Sequence, residues 1–271
     1  MFLLLRHDLP QTPEALAAAL DEGLRAFVSR PAPMVSIAGD KVSALKSIAV
    51  DLSGARAESA RLPPRPRLDN LRPAISATEL SVTAEPISLF GAAVNFQLKA
   101  NEVQLQQAPQ PDDKSLLILH RAQAGDLRLE TGRAELEHLI KRVAGKLAQK
   151  QGVTIESVNL QLAQPQPRVL DAIVTVAARK LLFRPVLKLA GSVTINDDLV
   201  ATISNLTCTG DGPIASLACA AITPQFARIE ARPFPLSALP LGEIQLRDVT
   251  LDLIGDRISI AAKFGERSAS A

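Results

Sequence analysis

Residues 153–162 read VTIESVNLQL, and residues 244–253 read IQLRDVTLDL. In the first, apolar side chains stand at Val153 and Ile155, then skip two residues to Val158, Leu160 and Leu162; the second repeats the pattern with Ile244, Leu246, Val249, Leu251 and Leu253. Alternation of period two is the mark of a strand with one buried face. A two-residue skip inside it means one extra residue, which is how a β-bulge reads in sequence. The same skip separates Ala100 from Val103 in the run Leu98, Ala100, Val103, Leu105, and Leu45 from Ile48, Val50 and Leu52. Bulges bend strands, so a sheet bent at one depth in several strands is expected to curl around something.

Working outward, further alternating segments span residues 95–105, 169–178, 186–195, 199–207 and 258–264. Turns at Asn196-Asp197-Asp198 and Gly255-Asp256 join neighbours as antiparallel pairs. Three stretches carry a 3.6-residue period instead. Residues 12–29 open with Thr12 as N-cap and Pro13 at the first helical position, and they stop at Pro31 and Pro33. Residues 131–151 carry Leu136, Leu139, Ile140, Val143 and Leu147 as a stripe, with Gly152 closing the helix. Residues 212–231 are unusually apolar and contain Pro224, where a kink or break is expected. No strand is followed repeatedly by a crossover helix, which argues against a parallel α/β sheet.

Of the 271 residues, 47% are hydrophobic and 21% charged, with a net charge of +2. That combination folds. The chain has eight Phe and neither Trp nor Tyr, which removes the aromatic platforms that single-stranded nucleic acids stack on. The weak positive charge is too small for phosphate neutralisation along a duplex, so nucleic acid is not an expected partner. Two cysteines, Cys208 and Cys219, are too few for a disulfide framework and lack metal-ligand spacing. Residues 1–10, MFLLLRHDLP, do not read as an export signal and no apolar run reaches the length of a spanning helix, so the expected location is cytoplasmic or peripheral at a membrane.

The string Phe234-Pro235-Leu236-Ser237-Ala238-Leu239-Pro240-Leu241-Gly242, followed by strands at 244–253 and 258–264, resembles the closing segment of bacterial LmeA-like proteins, lipid-binding members of the tubular lipid-binding (TULIP) superfamily. The likeness extends over about residues 75–265. It implies an α+β, TULIP-like fold: a strongly curved, bulged antiparallel β-sheet wrapped around long amphipathic helices. Residues 71–271 would form this domain, with residues 1–70 contributing a helix and a Pro/Arg-rich loop packed on it as one structural unit. The implied role is non-enzymatic binding or transfer of lipid acyl chains, phospholipid being the expected class, with transient contact to a membrane surface and no cofactor. The groove would be lined by Phe90, Phe96, Leu139, Ile222 and Phe226, the large apolar residues expected on the sheet and helix faces.

Residues 179–184, Arg179-Lys180-Leu181-Leu182-Phe183-Arg184, separate two strands and set three large apolar residues among cations, a composition suited to shallow insertion into an anionic leaflet. The competing reading continues Leu181 to Phe183 into the core. Gly210-Asp211-Gly212-Pro213 stands between strand and helix like a phosphate loop, but Pro213 removes an amide and the flanking strands read as antiparallel; a turn and helix cap explain it better. His7, His120 and His138 have no nucleophile or metal-binding motif beside them, and Asp112-Asp113 and Asp197-Asp198 sit in turn contexts. No catalytic or metal constellation emerges. The alternative function is a structural scaffold with a packed core that binds a partner protein through the stiff Arg61-Leu62-Pro63-Pro64-Arg65-Pro66-Arg67 loop.

Overall fold

The computed structural model describes residues 1–57, 70–149, 152–180, 183–230, 232–236 and 244–266. The chain forms two compact units: Met1–Leu129 with Pro240–Asp248 and Ala261–Ala271, and Glu130–Leu239 with Val249–Ile260.

The first unit opens with β1 (Phe2–Leu4) and α1 (Pro13–Arg25), followed by β2 (Val28–Ser29), β3 (Val35–Ala38), β4 (Ala44–Asp51) and β5 (Arg56–Ala57). Three long strands come next: β6 (Arg72–Leu89), β7 (Ala92–Gln110) and β8 (Lys114–Gly132). Thr12 caps α1 as its side-chain oxygen accepts from the Ala15 amide at 3.2 Å. The helix buries Leu16, Ala19 and Leu20 on a core built with Ile48, Leu80, Val103 and Leu117. Gly23 permits this seat, since a β-carbon there would run into the carbonyl of Leu3.

The second unit holds α2 (Arg133–Gln149), the meander β9 (Thr154–Gln166), β10 (Val169–Arg179), β11 (Val186–Ile195) and β12 (Val200–Gly210), then α3 (Pro213–Glu230) and β13 (Phe234–Pro235). Strands β14 (Ile244–Ile254) and β15 (Arg257–Glu266) contribute residues to both units. One sheet runs β14-β15-β8-β7-β6-β4-β3, with β1 on β8, β5 on β6 and β2 on β5; a second runs β13-β12-β11-β10-β9.

The expected fold, a curved antiparallel sheet wrapped around long amphipathic helices in the TULIP manner, is overturned. Among the described residues the chain is 60% strand and 20% helix. The three helices have 13, 17 and 18 residues. α2 buries no residue and α3 buries only Ala215 and Cys219, so neither is the centre of anything. The sheets are also not purely antiparallel: β4 and β5 both pair parallel to β6. The physical reason is that burial in the first unit comes from the sheet and α1, while α2 and α3 only rest on a second sheet.

The two-residue skips have two different structural origins. In β9 the skip from Ile155 to Val158 is a bulge: the register with β10 shifts between Ala177 and Ala178, leaving Glu156 extra. In the first unit there is no bulge at the corresponding skips. Leu45, Ala77 and Val103 lie side by side across β4, β6 and β7, as do Ile48, Leu80 and Ala100, and all six are buried. Between these two rows sit the exposed Lys46, Thr78 and Glu102, the last at φ 49°. All three strands change face together, so register survives.

Candidate functional site

The second unit's sheet has one apolar and one polar face. Cross-strand pairing places Leu162, Ala172 and Gly191 in one row, and Leu160, Val174, Leu189 and Cys208 in the next. Val158, Val176, Leu187 and Gly210 form a third row on the same face. The opposite face carries Asn159, Gln161, Asp171, Thr175, Lys188, Ser192, Thr202 and Thr207. Gly191 leaves space for Leu206, whose Cδ2 would lie 2.6 Å from a β-carbon at that position.

α3 lies on the apolar face at β12. A disulfide joins Cys219 to Cys208, with the two Cα atoms 5.3 Å apart, and the Ala215 methyl sits where a β-carbon on Gly210 would go. At the helix's other end Glu230 Oε1 accepts the Leu206 amide at 2.7 Å. That amide is released by a register shift in β12 beside Asn205, which has φ 56°. Pro224 does not end the helix, which runs unbroken to Glu230.

α2 lies along β9. Glu137 Oε1 accepts the Leu160 amide at 2.8 Å, and Arg133 Nη1 donates to the Leu160 carbonyl at 3.4 Å. Arg133 also forks onto Asp256 at 3.1 and 3.3 Å, and this hydrogen bonding raises its pKa above the ordinary arginine value. Nearby, the Gln164 side-chain amide replaces a strand partner: it donates to the Leu251 carbonyl at 2.7 Å and accepts the Leu253 amide at 2.8 Å.

α2 bonds the backbone of the outer edge of β9 and α3 is tied to β12, two strands that stand three strand spacings, about 14 Å, apart. Between those two strands lie β10 and β11, the floor of the apolar face. On β10, Leu170, Ala172 and Val174 are half-buried, the same class as Asp171, Ile173 and Thr175 on the polar side; Leu187, Leu189 and Val193 of β11 are likewise half-buried. A face sealed under a helix layer would be buried throughout, as Ala178 and Val176 are near one end.

The five expected groove residues are divided between the two units. Leu139 on α2, and Ile222 and Phe226 on α3, are half-buried on the two helices beside this floor. Phe90 and Phe96 belong to the first unit, Phe90 in the β6–β7 turn at φ 53° and Phe96 packed on the cluster of Val28, Met34, Ala55, Ala84 and Ile87. Strand membership alone did not tell which of the two sheets a Phe would join. Of the membrane-contact residues, Arg179, Lys180, Phe183 and Arg184 are exposed, and Lys180 and Phe183 exchange both backbone hydrogen bonds at 3.0 Å. Leu181 and Leu182 lie outside the described residues, as do Arg61–Arg67 and 237–243 of the closing string.

The remaining candidates are accounted for locally. Gly212 has φ 85° at the start of α3; Asp112 and Asp113 take positive φ in the β7–β8 turn; Asp197 pairs with Arg168 at 3.1 Å. Among the described residues no three His, Cys, Asp or Glu side chains converge as metal ligands. No described helix is long and apolar enough to cross a membrane. The first unit has open hollows of about 1120 Å³, lined by Arg6, His7, Asp8, Gln11, Glu22 and Asp113 among others, and about 570 Å³ over the row of Lys46, Thr78 and Glu102. Their polar linings do not suit an acyl chain. Comparison with known proteins finds no matching family model, no matching curated protein and no matching solved structure.

Proposed function

We propose that the second unit is a non-enzymatic lipid-binding module that holds acyl chains on the apolar floor of β10 and β11, between α2 and α3. One observation carries this reading: Leu170, Ala172, Val174, Leu187, Leu189 and Val193 form a continuous apolar surface that is half-buried and not sealed. A contiguous apolar surface left incompletely covered is a place for an apolar ligand to bind. Covering it with about ten methylenes at roughly 0.8 kcal/mol each contributes on the order of 8 kcal/mol, near micromolar affinity before ordering costs. The floor carries no charge, so the acyl chain supplies the affinity and a phospholipid headgroup stays in water.

The test is native mass spectrometry of the purified protein followed by organic extraction, with Val174→Glu as the comparison. Adducts lost on denaturation, extracting as acyl lipid and missing from the variant, are expected. A bare protein that also takes no lipid from vesicles overturns the reading in favour of a packed scaffold.

A further inference from the structure

The ends of the second unit's elements are unequal. Strand pairing brings the end of β10, the beginnings of β9 and β11 and the end of β12 to one side: Arg179 pairs with Thr154, Ala177 with Val186, and Leu187 with Gly210. α2 finishes at the same side, turning into β9 through the Val153 amide on the Ala148 carbonyl at 3.1 Å, and α3 starts there two residues after β12. Of the eleven exposed large apolar residues among the described ones, five belong to this end: Val143, Leu147, Phe183, Val186 and Leu217. Each is within about 9 Å of its element's end along the helix axis or strand. Leu217 is 73% exposed and Leu147 63%, and it is their gathering with three further large apolar side chains at one end that marks a surface for apolar contact. The ionic groups at this end are Lys146, Arg179, Lys180, Arg184 and Lys188 against Glu156 and Asp211, and Glu156 already pairs with Arg179 at 3.5 Å.

We propose that this end docks onto an anionic phospholipid bilayer, with Leu147, Phe183 and Leu217 entering the headgroup boundary and Lys180, Arg184 and Lys188 facing lipid phosphates. The inference rests on the acyl-binding reading and extends it. A bilayer fits better than an acidic protein because large exposed apolar side chains stand among the cations. Docking here sets the open ends of β10 and β11, the floor of the trough, against the membrane, which gives an acyl chain a route in without crossing water.

The experiment is co-sedimentation of the full chain with vesicles of equal parts phosphatidylcholine and phosphatidylglycerol, and with pure phosphatidylcholine vesicles. Alongside it, a monomeric fluorescent fatty acid is titrated without vesicles. Each cation near an anionic surface is worth about fivefold in binding, so Lys180→Ala with Arg184→Ala is expected to weaken vesicle binding roughly thirtyfold. Leu147→Asp with Phe183→Asp should abolish it, and both double variants should keep fatty-acid affinity and the parent far-ultraviolet circular dichroism. Fatty-acid binding without vesicle binding overturns the docking inference and leaves the trough standing. Vesicle binding that ignores the four substitutions, or that is equal on pure phosphatidylcholine, also overturns it. Vesicle binding lost in the variants, in a chain that never takes up the fatty acid, upholds the surface and overturns the trough.

Discussion

Breaking the Cys208–Cys219 crosslink tests how α3 is held over the apolar floor. α3 buries only Ala215 and Cys219, so its apolar anchorage is small and the disulfide is a large share of it. The two cysteines are 11 residues apart. In the loop-closure treatment, a crosslink of that span removes about 9 cal/mol/K from the unfolded chain, or about 3 kcal/mol at room temperature. The double variant Cys208→Ser with Cys219→Ser should therefore lose about 3 kcal/mol of the second unit's stability. With a urea slope near about 2 kcal/mol per molar, the unfolding midpoint falls by about 1.5 M. The chain has neither Trp nor Tyr, so unfolding is followed by far-ultraviolet circular dichroism. Reducing agent should move the parent protein by the same amount and leave the double variant unmoved. A double variant with the parent's midpoint, or a parent indifferent to reduction, refutes the account of α3 as a helix held mainly by its crosslink.

Phe96→Ala should lower the first unit's stability by about 2–3 kcal/mol, since the ring packs on the Met34 and Ile87 cluster, and should leave fatty-acid affinity unchanged; urea melts and probe titration check both. Gly125→Ala is expected to cost about 1–3 kcal/mol in thermal melts, because the new methyl would crowd the Phe264 ring and the Lys99 carbonyl at 2.7 Å. Two carboxylates have pKa values below the ordinary range: Asp51 through hydrogen bonds from Ser53 with added help from Arg30, and Glu266 through its fork with Arg121 at 2.7 and 3.0 Å. Because folding lowers these pKa values, their contribution is complete above about pH 5 and drains away as acid takes the pH below about 4 through the lowered values; Glu266→Gln should flatten that limb of the melting-temperature profile.

Much of the second unit is legible in the chain. Alternation places β9, β10, β11 and β12 close to their observed limits, and the Asn196-Asp197-Asp198 turn joins β11 to β12, with the Asn196 side chain accepting the Val200 amide at 2.8 Å. The Ile155 to Val158 skip is a bulge as its pattern indicates. β6 and β8 pass unnoticed because their apolar spacing is broken: β6 buries Ala77, Leu80, Ala84 and Ile87, which follow no single period. Register shifts around the cis Glu85–Pro86 bond and the face change at Thr78 account for the broken spacing.

The candidate site is legible only in pieces. Leu139, Ile222 and Phe226 flank the trough, but its floor, Leu170 to Val193, reads along the chain as ordinary core. Cys208 and Cys219 look unremarkable 11 residues apart until the turn at Gly212 folds α3 back over β12.

From its sequence alone this protein has the Thr12 cap, the meander and its turns, the bulge at Glu156 and an apolar stripe along each strand, because each depends on neighbours a few residues away. Tertiary structure decided that β4 runs parallel to β6, that Phe90 and Phe96 belong to a different unit from Phe226, and that α3 folds back onto β12. An apolar stripe specifies that a face avoids water; which element covers it, and whether any does, depends on groups far away in the chain.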